Sequence, residues 1–334
     1  MSLLKQRRKI KLLIIFLLVF LIFILWFSRG TVYPPEELKY GITFSAQHAQ
    51  GLGLNWQEAY VNILDELGIK RLRLSAYWNE IEASPDNYTW ERLDWQVEEA
   101  SQRGVEIILA LGGRLPRWPE CHFPDWGKEL SKADREAEIL DYIKKTTERY
   151  QGNKSIVAWQ VENEPFLSHF GDCPELDSTF LDKEIALVRS LDNRPIVLTD
   201  SGELSFWIRS ARRADIFGTT MYLETYSQNL KRYINYPIKP GFFRFKKNII
   251  SWFAHPQKWI VIELQAEPWA HTPYCNLSPT ERDKLMNKDK LNEILEFARL
   301  SGFQEFYLWG AEWWYWEKEQ GRGEIWEEAK KIFR

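Results

Sequence analysis

From residue 40 onward the chain alternates short apolar runs with longer segments whose apolar residues recur at helical spacing. Eight runs rich in β-branched and aromatic residues read as strands. They are YGITFS (40–45), KRLRLSA (70–76), VEIILAL (105–111), SIVAWQV (155–161), PIVLT (195–199), DIFGTTM (215–221), KWIVIEL (258–264) and EFYLWG (305–310). Between them, NWQEAYVNILDELG (55–68) and WERLDWQVEEASQRG (90–104) each close on Gly, a common residue just past a helix. Helical spacing also marks 132–150, 180–191, 202–213, 243–253, 281–302 and 324–333. The strand runs are nearly continuous rather than alternating, as expected where both faces of a sheet are buried. Strict alternation of strand and helix predicts parallel strands. Eight such units over 40–334 predict a single (β/α)₈ TIM barrel. A doubly wound open sheet is the competing α/β arrangement. It lacks its glycine-rich loop here, since AQGLGL holds two glycines and lies too far past the first strand.

The pattern ahead of the barrel is different. Lys5, Arg7, Arg8, Lys9 and Lys11 precede an unbroken apolar run, Leu12 to Phe27, followed by SRG with no small-x-small cleavage pattern. Residues 1–30 therefore read as an uncleaved signal anchor that crosses a bilayer. The basic flank stays cytoplasmic and the rest of the chain lies outside. TVYPPEELKY supplies a short, stiff linker over 31–39, and the catalytic domain is 40–334. The first 30 residues hold six basic groups and no acids, so the remaining 38 basic residues face 47 acidic ones, a net of −9. An acidic outer domain argues against nucleic acid as a partner.

The chain has 17 Trp, far more than an average chain uses. Flat indoles either pack a core or stack on sugar rings, and composition does not separate the two. Cys121, Cys173 and Cys275 show no metal-ligand spacing, and no His and acid stand at ligand spacing either. No metal or other cofactor is expected.

In a barrel of this kind the chemistry sits at the C-terminal ends of the strands. Glu162, Asn163, Glu164 and Pro165 follow the fourth strand, and Glu263 ends the apolar run of the seventh, with Glu267 four residues on. Two carboxylates across a barrel mouth suit glycoside hydrolysis. One is protonated and donates to the leaving oxygen; the other is ionised and attacks the anomeric carbon or activates water. VENEP and WIVIEL, in that order, resemble the retaining (β/α)₈ glycoside hydrolases of clan A, which include cellulase-like and β-galactosidase-like enzymes. The resemblance covers 40–334. It extends to RLRLSAYW with the later WERLD, to TTMY, and to LWGAEWWYW. It implies Glu164 as acid/base and Glu263 as nucleophile. It implies Asn163 at the substrate 2-hydroxyl, Arg73 keeping the nucleophile ionised, Tyr222 donating to it, and Trp309 as a sugar-stacking floor.

Each residue also has a plainer role. Glu162 shares strand parity with Glu164 and would take a salt bridge or hydrogen bond within the mouth. Glu267 lies on a loop and reads as a rim residue. Arg73 would serve equally as a structural ion pair, and Tyr222 as packing. Trp78, Trp118, Trp126, Trp269, Trp313, Trp314 and Trp316 all follow strands; Trp78, Trp118 and Trp269 are expected among the substrate contacts, while others pack loops. His122 or His169 would bind sugar hydroxyls. Cys121 and Cys173 fall on loops 3 and 4, neighbours in a barrel, which places a bridge between them at the rim. The basic, aromatic segment 231–256 reads as a long loop with an amphipathic helix, or as a lid or membrane contact. The expected function is a membrane-anchored, outward-facing retaining β-glycosidase or transglycosylase acting on oligosaccharides, polysaccharides or glycoconjugates. A non-catalytic carbohydrate-binding barrel is the alternative.

Overall fold

The computed structural model describes residues 2–27, 29–168, 170–174 and 177–333. The strands are β1 (Lys39–Thr43), β2 (Arg71–Ser75), β3 (Glu106–Leu111), β4 (Ile156–Val161), β5 (Ile196–Asp200), β6 (Ile216–Met221), β7 (Glu224–Ser227), β8 (Arg232–Asn235), β9 (Lys258–Gln265) and β10 (Glu305–Trp309). Eight of them close a parallel barrel in the order β1-β10-β9-β6-β5-β4-β3-β2, while β7 and β8 form a separate antiparallel hairpin. Each barrel strand lies within two residues of its expected place. The pattern is legible because two apolar layers demand it. Ile108, Ala158, Val197, Ile260, Ile262 and Tyr307 fill the barrel interior, as inward side chains of such barrels do, and a far larger cluster joins strands to the outer helices.

Local chemistry starts and stops the helices. Asn55 accepts hydrogen bonds from the amides of Gln57 and Glu58 to open the helix Trp56–Leu67, and Gly68 closes it at φ 69°. The expected helix 202–213 shrinks to Ile208–Ala211. Gly202 lies so close to the Thr220 carbonyl that an added Cβ would stand 2.0 Å from it, and Trp207 is held at φ 67° with its indole N–H on the Ser201 carbonyl. The segment 281–302 is two helices, Pro279–Leu285 and Lys288–Arg299, with Met286 buried at the break and Asn287 capping the second. Ala311–Glu319 is a helix that periodicity does not reveal. Its residues are buried from Ala311 to Glu317, so no polar face marks it.

The basic, aromatic segment begins in the β7–β8 hairpin and continues into the helix Pro240–Ile250. The hairpin leans on the loop after β9, where Tyr233 Oη lies 2.9 Å from His271 Nδ1.

The N-terminal residues form one helix, Ser2–Phe27, whose end meets the barrel where Phe23 stands edge-on to Phe245. Among the described residues, however, no helix is long and apolar enough to cross a membrane, which corrects the expected bilayer span. Leu12 to Phe27 rises about 24 Å at 1.5 Å per residue, against a hydrocarbon core about 30 Å thick. Lys11, Lys9, Arg8 and Arg7 interrupt the apolar surface on its N-terminal side.

Candidate active site

The chain leaves β4 through two non-glycine residues in the left-handed region, Glu162 at φ 59° and Glu164 at φ 44°. This turn separates two side chains that strand parity would point the same way. Glu162 turns back against loop 3, where its carboxylate accepts from the amides of Gly113 (2.8 Å) and Arg114 (2.6 Å). Gly112 is required beside it, because a Cβ there would lie 2.5 Å from Glu162 Oε1. Glu162 therefore anchors loop 3 from beneath rather than lining the mouth. Asn163 is fixed on both ends of its amide: Nδ2 donates to Glu120 Oε2 (3.1 Å), and Oδ1 accepts from Gln160 and Thr199 (both 3.2 Å). Glu164, 6% exposed, hangs from the Thr199 hydroxyl through its backbone N–H. Burial first, then the negative charges of Glu263 and Glu120, push its carboxyl well above the usual carboxylate range; Arg114 pulls the other way.

Glu263 reaches the mouth through a break in strand register. Across β6, Thr219 pairs with Val261 and Thr220 with Glu263, so Ile262 is skipped; the β10 register shifts at the same place. This is a β-bulge. Ile260 and Ile262 face the barrel interior, and simple alternation would send Glu263 outward to the helices. The extra residue brings it inward as well. There Arg73 Nη2 donates to Glu263 Oε1 at 2.6 Å and Tyr222 Oη donates to Oε2 at 2.8 Å. Each carboxylate oxygen thus holds one donor, which fixes the group's orientation and stabilises its anion. Burial and the Glu263 charge keep the Tyr222 phenol protonated. Glu203 accepts from the Tyr222 backbone N–H at 2.7 Å and keeps that strand end in place.

Loop 3 supplies side chains that sequence reasoning passed over. In RLPRWPEC, Arg117 (φ 82°) and Glu120 (φ 73°) are both left-handed, either side of a cis Trp118–Pro119 bond. Both are buried toward the mouth. Burial pushes Glu120 up to about 8, with Arg114 opposing and Glu263 adding to the rise. Arg117 pairs with Glu267 (2.5 Å) and Glu312 (3.1 Å). Burial by itself would raise Glu267, but Arg117 and His48 outweigh it and hold that carboxyl at about 2. Glu267 is therefore part of a buried ion cluster, not an open rim. The one available signal was position, since these residues follow a barrel strand as the carboxylates do. His122 does not face the mouth chemistry: its Nε2 lies 3.0 Å from the Arg117 carbonyl, and burial lowers it to about 4, so it braces loop 3 as a neutral ring. His169 lies outside the described residues.

Cys121 and Cys173 form a disulfide that joins loop 3 to loop 4, with Cα atoms 5.3 Å apart. Asp172 N donates to the Pro119 carbonyl beside it. Cys173→Ser should lower unfolding free energy by about 2–4 kcal/mol, given the 52-residue separation, in urea titration. An unchanged midpoint would mean the bridge contributes nothing to the fold.

The tryptophans divide sharply. Trp78 is fully buried, donates to Glu82 at 2.8 Å and packs on Tyr142 and Trp126. It is core, which corrects its place among the substrate contacts. Trp126 donates to the Glu82 carbonyl, and Trp313 and Trp314 are buried in their helix, as is Trp316 beneath Arg282. Trp309 ends β10 beside the carboxylates, 8% exposed, with the Arg117 guanidinium 4.1 Å from its ring centre. Trp269 stands edge-on to Tyr222, touches Phe170, and through it leads to the exposed Trp118 at the rim. Among the described residues no group of three His, Cys, Asp or Glu side chains is arranged to hold a metal ion.

Comparison with known proteins bears on the fold and the family. The chain is 24% identical over 269 residues to the β-galactosidase BgaA of Clostridium cellulovorans, which covers 73% of this chain and 39% of that enzyme. It is 22% identical over 180 residues to a probable mannan endo-1,4-β-mannosidase of Aspergillus terreus, covering 45% and 46%. The chain thus spans less than half the length of these curated relatives. Among solved structures it resembles a β-galactosidase from Marinomonas ef1 (TM-score 0.56, 13% identity, 89% of this chain and 59% of that one). It also resembles a GH5_18 protein from Bifidobacterium longum (TM-score 0.58, 12% identity, 82% and 69%). At such identities these likenesses concern the fold. The model of the cellulase family, glycosyl hydrolase family 5, matches residues 43–253. A parallel eight-stranded barrel carrying that match over more than half its chain belongs to glycosyl hydrolase family 5.

Proposed function

We propose that the barrel is a retaining β-glycosidase acting on β-linked hexosides. The observation that carries this reading is the unequal treatment of two carboxyl groups. Glu263 receives Arg73 and Tyr222, both stabilising its anion, while Glu164 is buried with like charges that favour its acid form. That division of labour is what double displacement requires. Glu263 attacks C1 as Glu164 gives its proton to the departing oxygen, leaving a glycosyl-enzyme. Glu164, now ionised, takes a proton from water, which attacks C1 and frees Glu263. An acceptor sugar in place of water gives transglycosylation by the same steps. Asn163, whose amide is oriented on both ends, is placed to hold the substrate 2-hydroxyl, and Trp309 to carry the sugar face. The named relatives are a β-galactosidase and a mannanase, which supports galactosides and mannosides as first substrates.

A panel of 4-nitrophenyl β-galactoside, β-mannoside, β-glucoside and β-N-acetylglucosaminide tests the reading. Proton NMR of the first product should show the β-anomer. Initial release of the α-anomer would exclude retention. Sugar binding without turnover on any member would mark a binding module instead.

We also place the barrel outside the cytoplasm. The Cys121–Cys173 bridge supports an oxidising compartment. Maleimide labelling of rapidly quenched cells should mark the exposed Cys275 and leave the other two unlabelled until reduction. Three labelled thiols before reduction would place the protein in a reducing compartment.

A further inference from the structure

We propose that the enzyme acts from chain ends, and that Arg117 is the residue that closes the catalytic pocket behind a single terminal sugar. This rests on the glycosidase reading above. The direction of the bound substrate follows from the two carboxyl groups. Glu164 protonates the leaving oxygen, so the departing portion lies on the β4 side. The sugar that is transferred lies against Glu263 and Trp309, on the side of β9, β10 and β1. A longer chain cleaved internally must continue outward past that sugar, over the loops that follow these three strands.

That exit is filled by protein. Arg117 reaches across the mouth from loop 3 and pairs with Glu267 after β9 and Glu312 after β10. Glu312 in turn accepts from the Ser45 amide after β1 at 2.6 Å. All three charged side chains are buried, and the Arg117 guanidinium lies over the Trp309 indole. A continuous ion-paired wall thus links four loops where a groove would have to run. Ion pairs this close and this buried are costly to open, because each partner left behind is an unpaired charge out of water. Glu164, Glu263, Tyr222 and Trp309 are each less than a tenth exposed, which fits a blind pocket and not an open cleft. The Arg117 Nε–H is buried without an acceptor among the described residues. In the proposed complex it donates to a hydroxyl of the terminal sugar. Arg117 itself is held at a φ of 82°, a conformation that costs energy and persists where the surroundings fix it.

The test uses the full chain and the sugar its aryl-glycoside panel selects. A matching β-linked pentasaccharide, labelled at the reducing end, should shorten one residue at a time and release monosaccharide only. The same oligosaccharide with its terminal 4-hydroxyl methylated should be cut at least 10-fold more slowly. Early internal fragments, or equal cleavage of the capped chain, would overturn the proposal. No turnover on any aryl glycoside would instead remove the glycosidase reading, and this proposal with it. Arg117→Ala should raise the ratio of capped to uncapped cleavage at least 10-fold. Arg117→Ala/Glu267→Gln removes both partners of the closest pair and gives the same readout with less stranded charge. If both variants fold, as thermal melting reports, and the ratio stays at the wild-type value, Arg117 does not close the pocket. If neither folds, the wild-type product pattern decides.

Discussion

Glu263→Ala should lose turnover on aryl β-glycosides by about 10⁴-fold or more, with the fold intact by circular dichroism. The size follows from the mechanism. Without a nucleophile no glycosyl-enzyme forms, and the protein retains only binding and proton donation. The side chain removed is small, but it leaves Arg73 buried without its 2.6 Å partner. Added azide or formate offers that cation a replacement anion. It should restore part of the activity by attacking C1 from the vacated side, giving a product of inverted, α configuration. Recovery of the α-glycosyl azide identifies Glu263 as the group that occupied that face. Full activity in Glu263→Ala, or rescue giving the β-product, would overturn the assignment.

Glu164→Gln should act on a different feature of the kinetics. On substrates with a poor leaving group, kcat/KM should fall about 10²–10⁴-fold, the usual worth of a positioned acid. With 2,4-dinitrophenol as leaving group the first step needs little proton donation. Deglycosylation still lacks its base, so a burst of phenol followed by slow turnover is expected. The pH profile gives a second readout. Glu164 is held above the usual carboxylate range, so its working acid form persists at neutral pH. Wild-type kcat/KM should fall as pH rises through that raised value, and the variant should lose this high-pH limb. Glu120, raised to about 8 by burial in loop 3, also titrates there, and Glu120→Gln in each background separates the two. A wild-type limb near pH 4.5, or an unchanged limb in the double variant, would remove Glu164 as the acid.

Much of this was visible in the primary structure because burial imposes pattern. A strand covered on both faces must be apolar throughout, and eight of them with helices between fix the barrel. The catalytic motifs could then be placed, since VENEP and WIVIEL each end such a run. What escaped was set by backbone geometry. Strand parity puts Glu162 and Glu164 on one face, but left-handed conformations at both residues send them to opposite tasks. Trp78 and Trp309 both follow strands. Packing, not position, makes one a core residue and the other a wall of the pocket. Helix Ala311–Glu319 carried no amphipathic signature because it has almost no solvent face. The Arg117 cluster depends on contacts 150 and 195 residues apart, which no local pattern encodes. The N-terminal run shows the opposite error, where composition suggested a span that the apolar length does not reach.

The skipped residue at Ile262 has a consequence for anyone transplanting this chemistry. Copying Ile260–Glu263 onto a regular parallel strand with Ile260 kept inward would aim Glu263 at the surrounding helices, because Ile262 is an inserted backbone unit. Grafting the nucleophile therefore means grafting a local miscount between neighbouring strands, together with both partners that tolerate it. Trimming Ile262 to tidy the pairing would leave Glu263 on its rung opposite Thr220, and would cost the barrel interior one of the side chains that fill it.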